Sequence, residues 1–360
     1  MSPTLTSSIP VAFASCSIGL PRHTLHQKIE AIRAAGFKAI ELSFPDLLSY
    51  AKLHLGKQDI AEDDYPTLCE AARAAQQLCK RHELEIMALQ PFSNFEGWPP
   101  GSKERKDAFN RAQGWIKIME AAGTSMLQVG SSDSPRNKIS SDINTLAADL
   151  AELADMLAPH GFKLAYENWC WSTHAPTWKD VWEIVRRADK PNIGLCLDTF
   201  QTAGGEWGDP TTESGRIEML SGDEQRGVVV TPENLGARYK GSLEDLARTV
   251  PSDKIYFLQI SDGYKINSPP LSDKEEGGLR PRGRWSHDSR PLPYDGGYLP
   301  ISQVVTAVLS TGFKGWVSVE VFDGKFEEKY GDDLDRFAKK AMMTYQRLFS
   351  EAGETNGSLI

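Results

Sequence analysis

Three acidic residues each close an apolar run: Glu167 ends Leu164-Ala165-Tyr166-Glu167, Asp198 ends Gly194-Leu195-Cys196-Leu197-Asp198, and Glu320 ends Trp316-Val317-Ser318-Val319-Glu320. A carboxylate carried to the end of a buried strand costs several kcal/mol unless a cation or donors compensate. Gln259, inside Tyr256-Phe257-Leu258-Gln259-Ile260, adds a neutral oxygen at the same depth. A lone acid in such a place is as often structural, paired with a nearby lysine. Three of them, with a glutamine in the remaining one of four successive units, point to a common ligand. Oxygen donors without thiols suit one hard divalent ion, Mn2+ or Mg2+ ahead of Co2+ or Zn2+. Glu167, Asp198, Gln259 and Glu320 are therefore the expected metal ligands.

The elements that must position them follow a repeat. An amphipathic helix ends at Gly and a β-rich run begins at once in Ala35-Gly36-Phe37-Lys38, His160-Gly161-Phe162-Lys163 and Thr311-Gly312-Phe313-Lys314, with Ala122-Gly123-Thr124-Ser125 a looser copy. Gly just past a helix accepts positive φ and stops it. Strands are expected at 11–15, 39–43, 85–89, 126–129, 163–167, 193–197, 255–260 and 316–321. Helices are expected from a Thr24 cap to Gly36, then at 66–82, 105–122, 141–158, 177–188, 242–249, 301–311 and 333–350. Eight short apolar strands alternating with helices predict a closed α/β (β/α)8 TIM barrel as one domain over 1–350, with 351–360 a flexible tail. No G-x-G-x-x-G or P-loop sequence follows a strand, which removes the usual reason for an open sheet. Two long connections, 199–241 and 262–300, leave the C-terminal ends of the sixth and seventh strands, where barrel enzymes carry their substrate loops.

Formal net charge is -9 and no long Lys/Arg run occurs, so nucleic acid is not an expected partner. No run of about 18 apolar residues occurs, and 1–19 has no basic segment before its apolar stretch, so a cytoplasmic protein without a membrane partner is expected. Cys16, Cys69, Cys79, Cys170 and Cys196 show no C-x-x-C spacing and fit reduced thiols, most of them simply small buried side chains. A homo-oligomer is left open.

The strand-end acids resemble those of the xylose-isomerase-like, endonuclease-IV-like TIM barrels. Within that group the chain looks like the fungal 3-dehydroshikimate dehydratases of quinate catabolism. The stretches that carry this are Gln90-Pro91-Phe92-Ser93-Asn94-Phe95-Glu96-Gly97, Tyr166-Glu167-Asn168-Trp169 with His174 beyond, Leu197-Asp198-Thr199-Phe200-Gln201, Leu258-Gln259-Ile260-Ser261-Asp262, and Arg290 with Pro293 and Gly297 before Leu299-Pro300. The resemblance runs from about Val11 to Phe349. It implies a metal-dependent hydro-lyase that converts 3-dehydroshikimate to protocatechuate, the metal easing α-proton removal by stabilising an enolate.

That chemistry needs a base, an acid for the departing hydroxyl and cations for the substrate carboxylate. Many bacterial relatives carry His three residues after the strand-six Asp, where this chain has Gln201, which cannot accept a proton. His174 is then the first candidate base and Glu41, at the end of the second strand, the next. His287 is the candidate acid. Arg284, Arg290 and Lys265 are candidates for the carboxylate, with Gln201 also at the substrate. Phe92, Phe95, Trp98 and Trp169 are candidates to wall the ring.

A sugar or keto-acid isomerase or epimerase of the same fold would use a similar metal and base. An abasic-site endonuclease would need more histidines than the seven present and a different charge. A non-enzymatic binding barrel leaves the clustered carboxylates unexplained.

Overall fold

The computed structural model describes residues 9–219 and 229–357. The first residues of the N-terminal segment, part of the 199–241 connection and the last three of the tail lie outside the described residues. Eight parallel strands close on themselves: β1 (Val11–Ala14), β2 (Ala39–Ser43), β3 (Glu85–Phe92), β4 (Met126–Gly130), β5 (Lys163–Glu167), β6 (Ile193–Asp198), β7 (Ile255–Ile260) and β9 (Trp316–Val319), with β9 paired to both β7 and β1. The chain is thus a closed α/β barrel, with the strands buried because helices cover their outer face.

The junction glycines work as the sequence suggests: Gly36, Gly123, Gly161 and Gly312 all hold positive φ, between 68 and 96°. The first helix, Leu25–Ala34, starts from a Thr24 and Gln27 capping box. Four described helices go beyond the expected set: Phe44–Leu55, Thr199–Glu206, Pro281–Asp288 and Phe326–Tyr330. The helix expected at 242–249 begins at Pro232, capped by Thr231. The terminal helix, Leu334–Gly357, runs past Ser350 with Ala352 buried, so the expected flexible tail is helical as far as Gly357. Apolar Leu348, Phe349 and Ala352 keep the helical period and pin that last stretch to the core.

One small pairing outside the barrel decides the site. In the long connection after β7, β8 (Ser289–Arg290) pairs antiparallel with β10 (Phe322–Asp323), just beyond β9, with Arg290 opposite Phe322. The loop is tied down there, and Arg290 is delivered to the barrel mouth beside Glu320.

Candidate metal centre and active site

Glu167 closes β5, Asp198 closes β6 and Glu320 follows β9, so three C-terminal strand ends point their acids at one place. One carboxylate oxygen from each lies within 4.8 Å of the others. All three are buried, and their partners differ. Glu167 Oε2 accepts from Trp169 Nε1 at 3.0 Å and from the Gln128 amide, while its Oε1 has no partner. Asp198 Oδ1 accepts the backbone N–H of Gln201 at 2.7 Å, capping helix Thr199–Glu206, and its Oδ2 meets Arg290 Nη2 at 2.6 Å. Glu320 Oε2 lies 3.1 Å from the same nitrogen, and its Oε1 accepts from the amides of Gln259 at 3.0 Å and Gln90 at 3.2 Å.

Burial raises the pKa of each acid, most strongly at Glu167, where Glu320 and Asp198 add repulsion. Glu320 is pushed up to about 7 by burial, with Arg290 opposing and Asp198 adding to the rise. At Asp198 the Arg290 guanidinium opposes the burial. Glu41, at the same depth on β2 and fully buried, joins the group: its Oε2 accepts from Gln259 Nε2 at 2.9 Å and its Oε1 has no partner. Burial, then Glu320, drives its pKa well above the carboxylate range. Four carboxyl groups thus face one guanidinium. An unpartnered buried oxygen on Glu167 and this excess of negative charge fit a divalent cation held by hard oxygen donors.

Gln259 sits among the acids but turns its amide nitrogen to them, while its Oε1 accepts from Cys196 Sγ at 3.2 Å. Turning the amide over would present oxygen to an ion, and the hydrogen-bond network rather than the atoms themselves sets that orientation. Arg290 lies fully buried. Its guanidinium donates to Ser261 Oγ as well as to the acids and stacks over Phe200 and Phe322 at 4.8 and 5.2 Å. It is the cation of this centre rather than an open clamp on the loop.

Other expected contacts fall elsewhere. Arg284 is engaged by Glu276 and by the carbonyls of Ser272 and Lys274 within its own connection. Lys265 is exposed, with its chain against Gly215. Gln201 is buried, its Oε1 accepting the Cys170 N–H at 3.0 Å, so it fixes the loop after β5. Phe92 and Phe95 are core: Phe92 packs on Trp115 with Arg111 over its ring, and Phe95 on Phe109. Trp98 donates to the Asn94 carbonyl. Trp169 does reach the acids, and it stacks on Trp171 at 5.2 Å.

The two histidines part company. His174 is shifted down by burial, then by Arg136 and Arg280, and none of the acids figures among its partners. His287 stands on helix Pro281–Asp288, its ring edge-on to Trp171 at 6.0 Å. Partial desolvation, then Arg290, lowers its pKa from the ordinary histidine value, which favours the neutral imidazole.

The Gln90 to Gly97 stretch turns out to be a clamp. Asn94 Oδ1 accepts from Ser132 Oγ, Asp133 N, Ser134 N and Ser134 Oγ at 2.8–3.2 Å. Glu96 Oε1 accepts from Ser132 N at 2.7 Å and Tyr166 Oη at 2.8 Å. The clamped loop in turn holds Trp169 through Ser131 and Trp171 through Asp133. Gln90, Gln128, Ser261 and Trp171 are the site neighbours that sequence reasoning passed over. For the two glutamines the signal was present: each interrupts an apolar strand, as Gln259 does.

A family model described as xylose isomerase-like TIM barrel matches residues 29–340. The chain is 29% identical over 357 residues to 3-dehydroshikimate dehydratase of Neurospora crassa, covering 95% of this chain and 94% of that one. It is 29% identical over 307 residues to 3-dehydroshikimate dehydratase of Pseudomonas aeruginosa, 84% of this chain but only 37% of that longer one. A crystal structure of the IOLI protein, described with a zinc atom, shares the fold at TM-score 0.61 and 18% identity, over 96% of this chain and 98% of that one. With the match over most of the barrel, this chain belongs to the xylose isomerase-like TIM barrel family.

Proposed function

We propose that the chain is a hydro-lyase that removes water from 3-dehydroshikimate to give protocatechuate, with one divalent ion held by Glu167, Asp198, Glu320 and, after its amide turns, Gln259. The observation that carries this reading is the convergence of three buried carboxylates at the mouth of the barrel, with a fourth, Glu41, joined to them through the Gln259 amide. Its likeness to two dehydratases of that name supplies the substrate. A bound divalent ion would polarise the ketone oxygen beside the carbon that loses its proton.

The chain's own groups do the rest. Arg290 neutralises part of the carboxylate charge and favours the ionised forms of Asp198 and Glu320 against their burial. Trp169, bonded to Glu167 and stacked on Trp171, brings an apolar ring to the acids. His287, whose neutral form is favoured by burial and by Arg290, takes the α-proton through an imidazole nitrogen. The C–H electron pair becomes the new double bond as the β-hydroxyl departs, and the same imidazolium returns its proton to that oxygen, releasing water. Aromatisation of the product draws the sequence forward. Glu41 remains the alternative acceptor, being close to the acids.

Incubation with 3-dehydroshikimate and analysis of the product by ultraviolet absorbance and NMR tests the reading. A catechol band is expected. An epimer or isomer without that band would place the chain among the isomerising members of the fold instead.

A further inference from the structure

A second group of metal-ligating side chains lies far from the acids in kind and place. His26 and Glu30 are one turn apart on helix Leu25–Ala34, and His82 caps helix Tyr65–Arg81; one ligand atom of each lies within 4.8 Å of the others. His26 Nδ1 is 3.4 Å from Glu30 Oε1, and the His26 and His82 rings meet edge to face at 5.6 Å. The three belong to the outer helix ring, whereas the acid cluster stands inside the barrel mouth.

We propose that His26, Glu30 and His82 form a surface site for a zinc-class divalent ion that ties the first helix to the end of helix Tyr65–Arg81. Two imidazoles and a carboxylate, with water in the fourth position, are the donor set that such an ion takes, and its ligands stand roughly 3.4 Å apart when bound. From ligand atoms within 4.8 Å of one another, the exposed His26 and Glu30 side chains have at most roughly 1.4 Å to close to that spacing.

The backbone under them is fixed. His82 N donates to Cys79 O at 3.0 Å, Glu83 N to Lys80 O and Leu84 N to Cys79 O, so the helix end that carries His82 is fully bonded. On the other side the Thr24 and Gln27 capping box sets the first turn that carries His26. An Arg33 to Glu83 ion pair already bridges the same two elements one turn further along. The spacing between the histidines is therefore set by the fold rather than by the ion, which lowers the ordering cost of binding. Imidazole also separates the two sites chemically: the all-oxygen mouth suits Mn2+ or Mg2+, and the surface triad favours Zn2+.

The test is a Zn2+ titration of chelator-treated full-length protein carrying Glu167→Gln, which weakens the mouth, with and without His82→Ala or His26→Ala. The expected result is one tight Zn2+ in Glu167→Gln, a dissociation constant at least tenfold weaker once either histidine is replaced, and a rise in thermal midpoint with Zn2+ that the histidine variants lose. Perturbation of the His26 and His82 imidazole NMR signals on adding Zn2+ reads the same site directly. His82→Ala alone should leave turnover unchanged. Unaltered Zn2+ affinity in both histidine variants, or imidazole signals that do not respond, would overturn the assignment.

Discussion

The two halves of the barrel lumen use the same strand face for opposite purposes. Side chains two apart on a strand share a face, and along that face Ala39 precedes Glu41, Ala165 precedes Glu167, Cys196 precedes Asp198 and Phe257 precedes Gln259. Ala39, Ala165, Cys196 and Phe257, with Ala12, Met87, Ala88 and Tyr256, form a small apolar core of their own. One pleat higher on those four strands the face carries Glu41, Glu167, Asp198 and Gln259, carboxyls and an amide. A cavity of about 840 Å3 opens at the lower end, lined by Lys80, Lys163 and Lys314 among others, and among the described residues no acid cluster lines it. The lower layer gains free energy from burial, whereas the upper layer spends it to hold charge where an ion and a substrate can use it.

The contrast breaks most sharply at Glu167, which holds no bond to Arg290. Glu167→Gln should leave the fold intact, remove the tightly held ion and lower kcat/KM more than about a hundredfold, the upper range even for groups that only support metal ligands. Circular dichroism, elemental analysis and turnover together check it. In the lower layer Phe257→Ala should cost about 3–5 kcal/mol of stability through the cavity it leaves, with one ion per folded chain still bound. Denaturant unfolding and metal content read the two effects, and a variant that loses the ion while keeping its stability would erase the distinction between the layers.

In the loops around the upper layer, His287→Ala should reduce kcat by about a hundredfold without changing metal content, while His174→Ala should change turnover little. Near-normal kcat in His287→Ala would move the base to Glu41. The smallest effect concerns pH. Glu320 has a folded pKa of about 7 against an ordinary 4.5, so the metal-free protein keeps that group's contribution below about pH 4.5 and loses it as pH rises to about 7. Glu206, pushed to about 7 by its own burial, titrates in the same window. The share of the cluster is the part of the fall in thermal midpoint that Glu320→Gln removes, and an equal fall in both proteins would contradict it.

The eight strands were legible because parallel strands covered on both faces read as short apolar runs, and the acids were legible because they end those runs. What escaped depended on pairing between distant residues. Arg290 reads from the sequence as a cation for the substrate carboxylate, and its pairing with the acids does not; only the β8 to β10 pairing carries it to Asp198, 92 residues away. His174 sits close to Glu167 in sequence, yet the loop after β5 turns it toward Arg136 and Arg280. The aromatic residues of the Gln90 to Gly97 stretch look like a ring wall, but Phe92 and Phe95 are buried and the polar members do the work by bracing a neighbouring loop. Helix Phe44–Leu55 follows β2 with no intervening turn, so its start, capped by Ser43, merges with the strand pattern. Helix Pro281–Asp288 is short and polar, and little of its period shows.

The central claim is that the mouth acids hold one ion on which the dehydration depends. Its most direct test strips the wild-type protein with a chelator, returns Mn2+ stepwise, and follows bound ion and formation of the catechol from 3-dehydroshikimate in the same samples. Turnover is predicted to be absent in the stripped protein and to rise in proportion to occupancy, reaching its limit at one Mn2+ per chain. Full turnover by protein shown to be free of metal would contradict it.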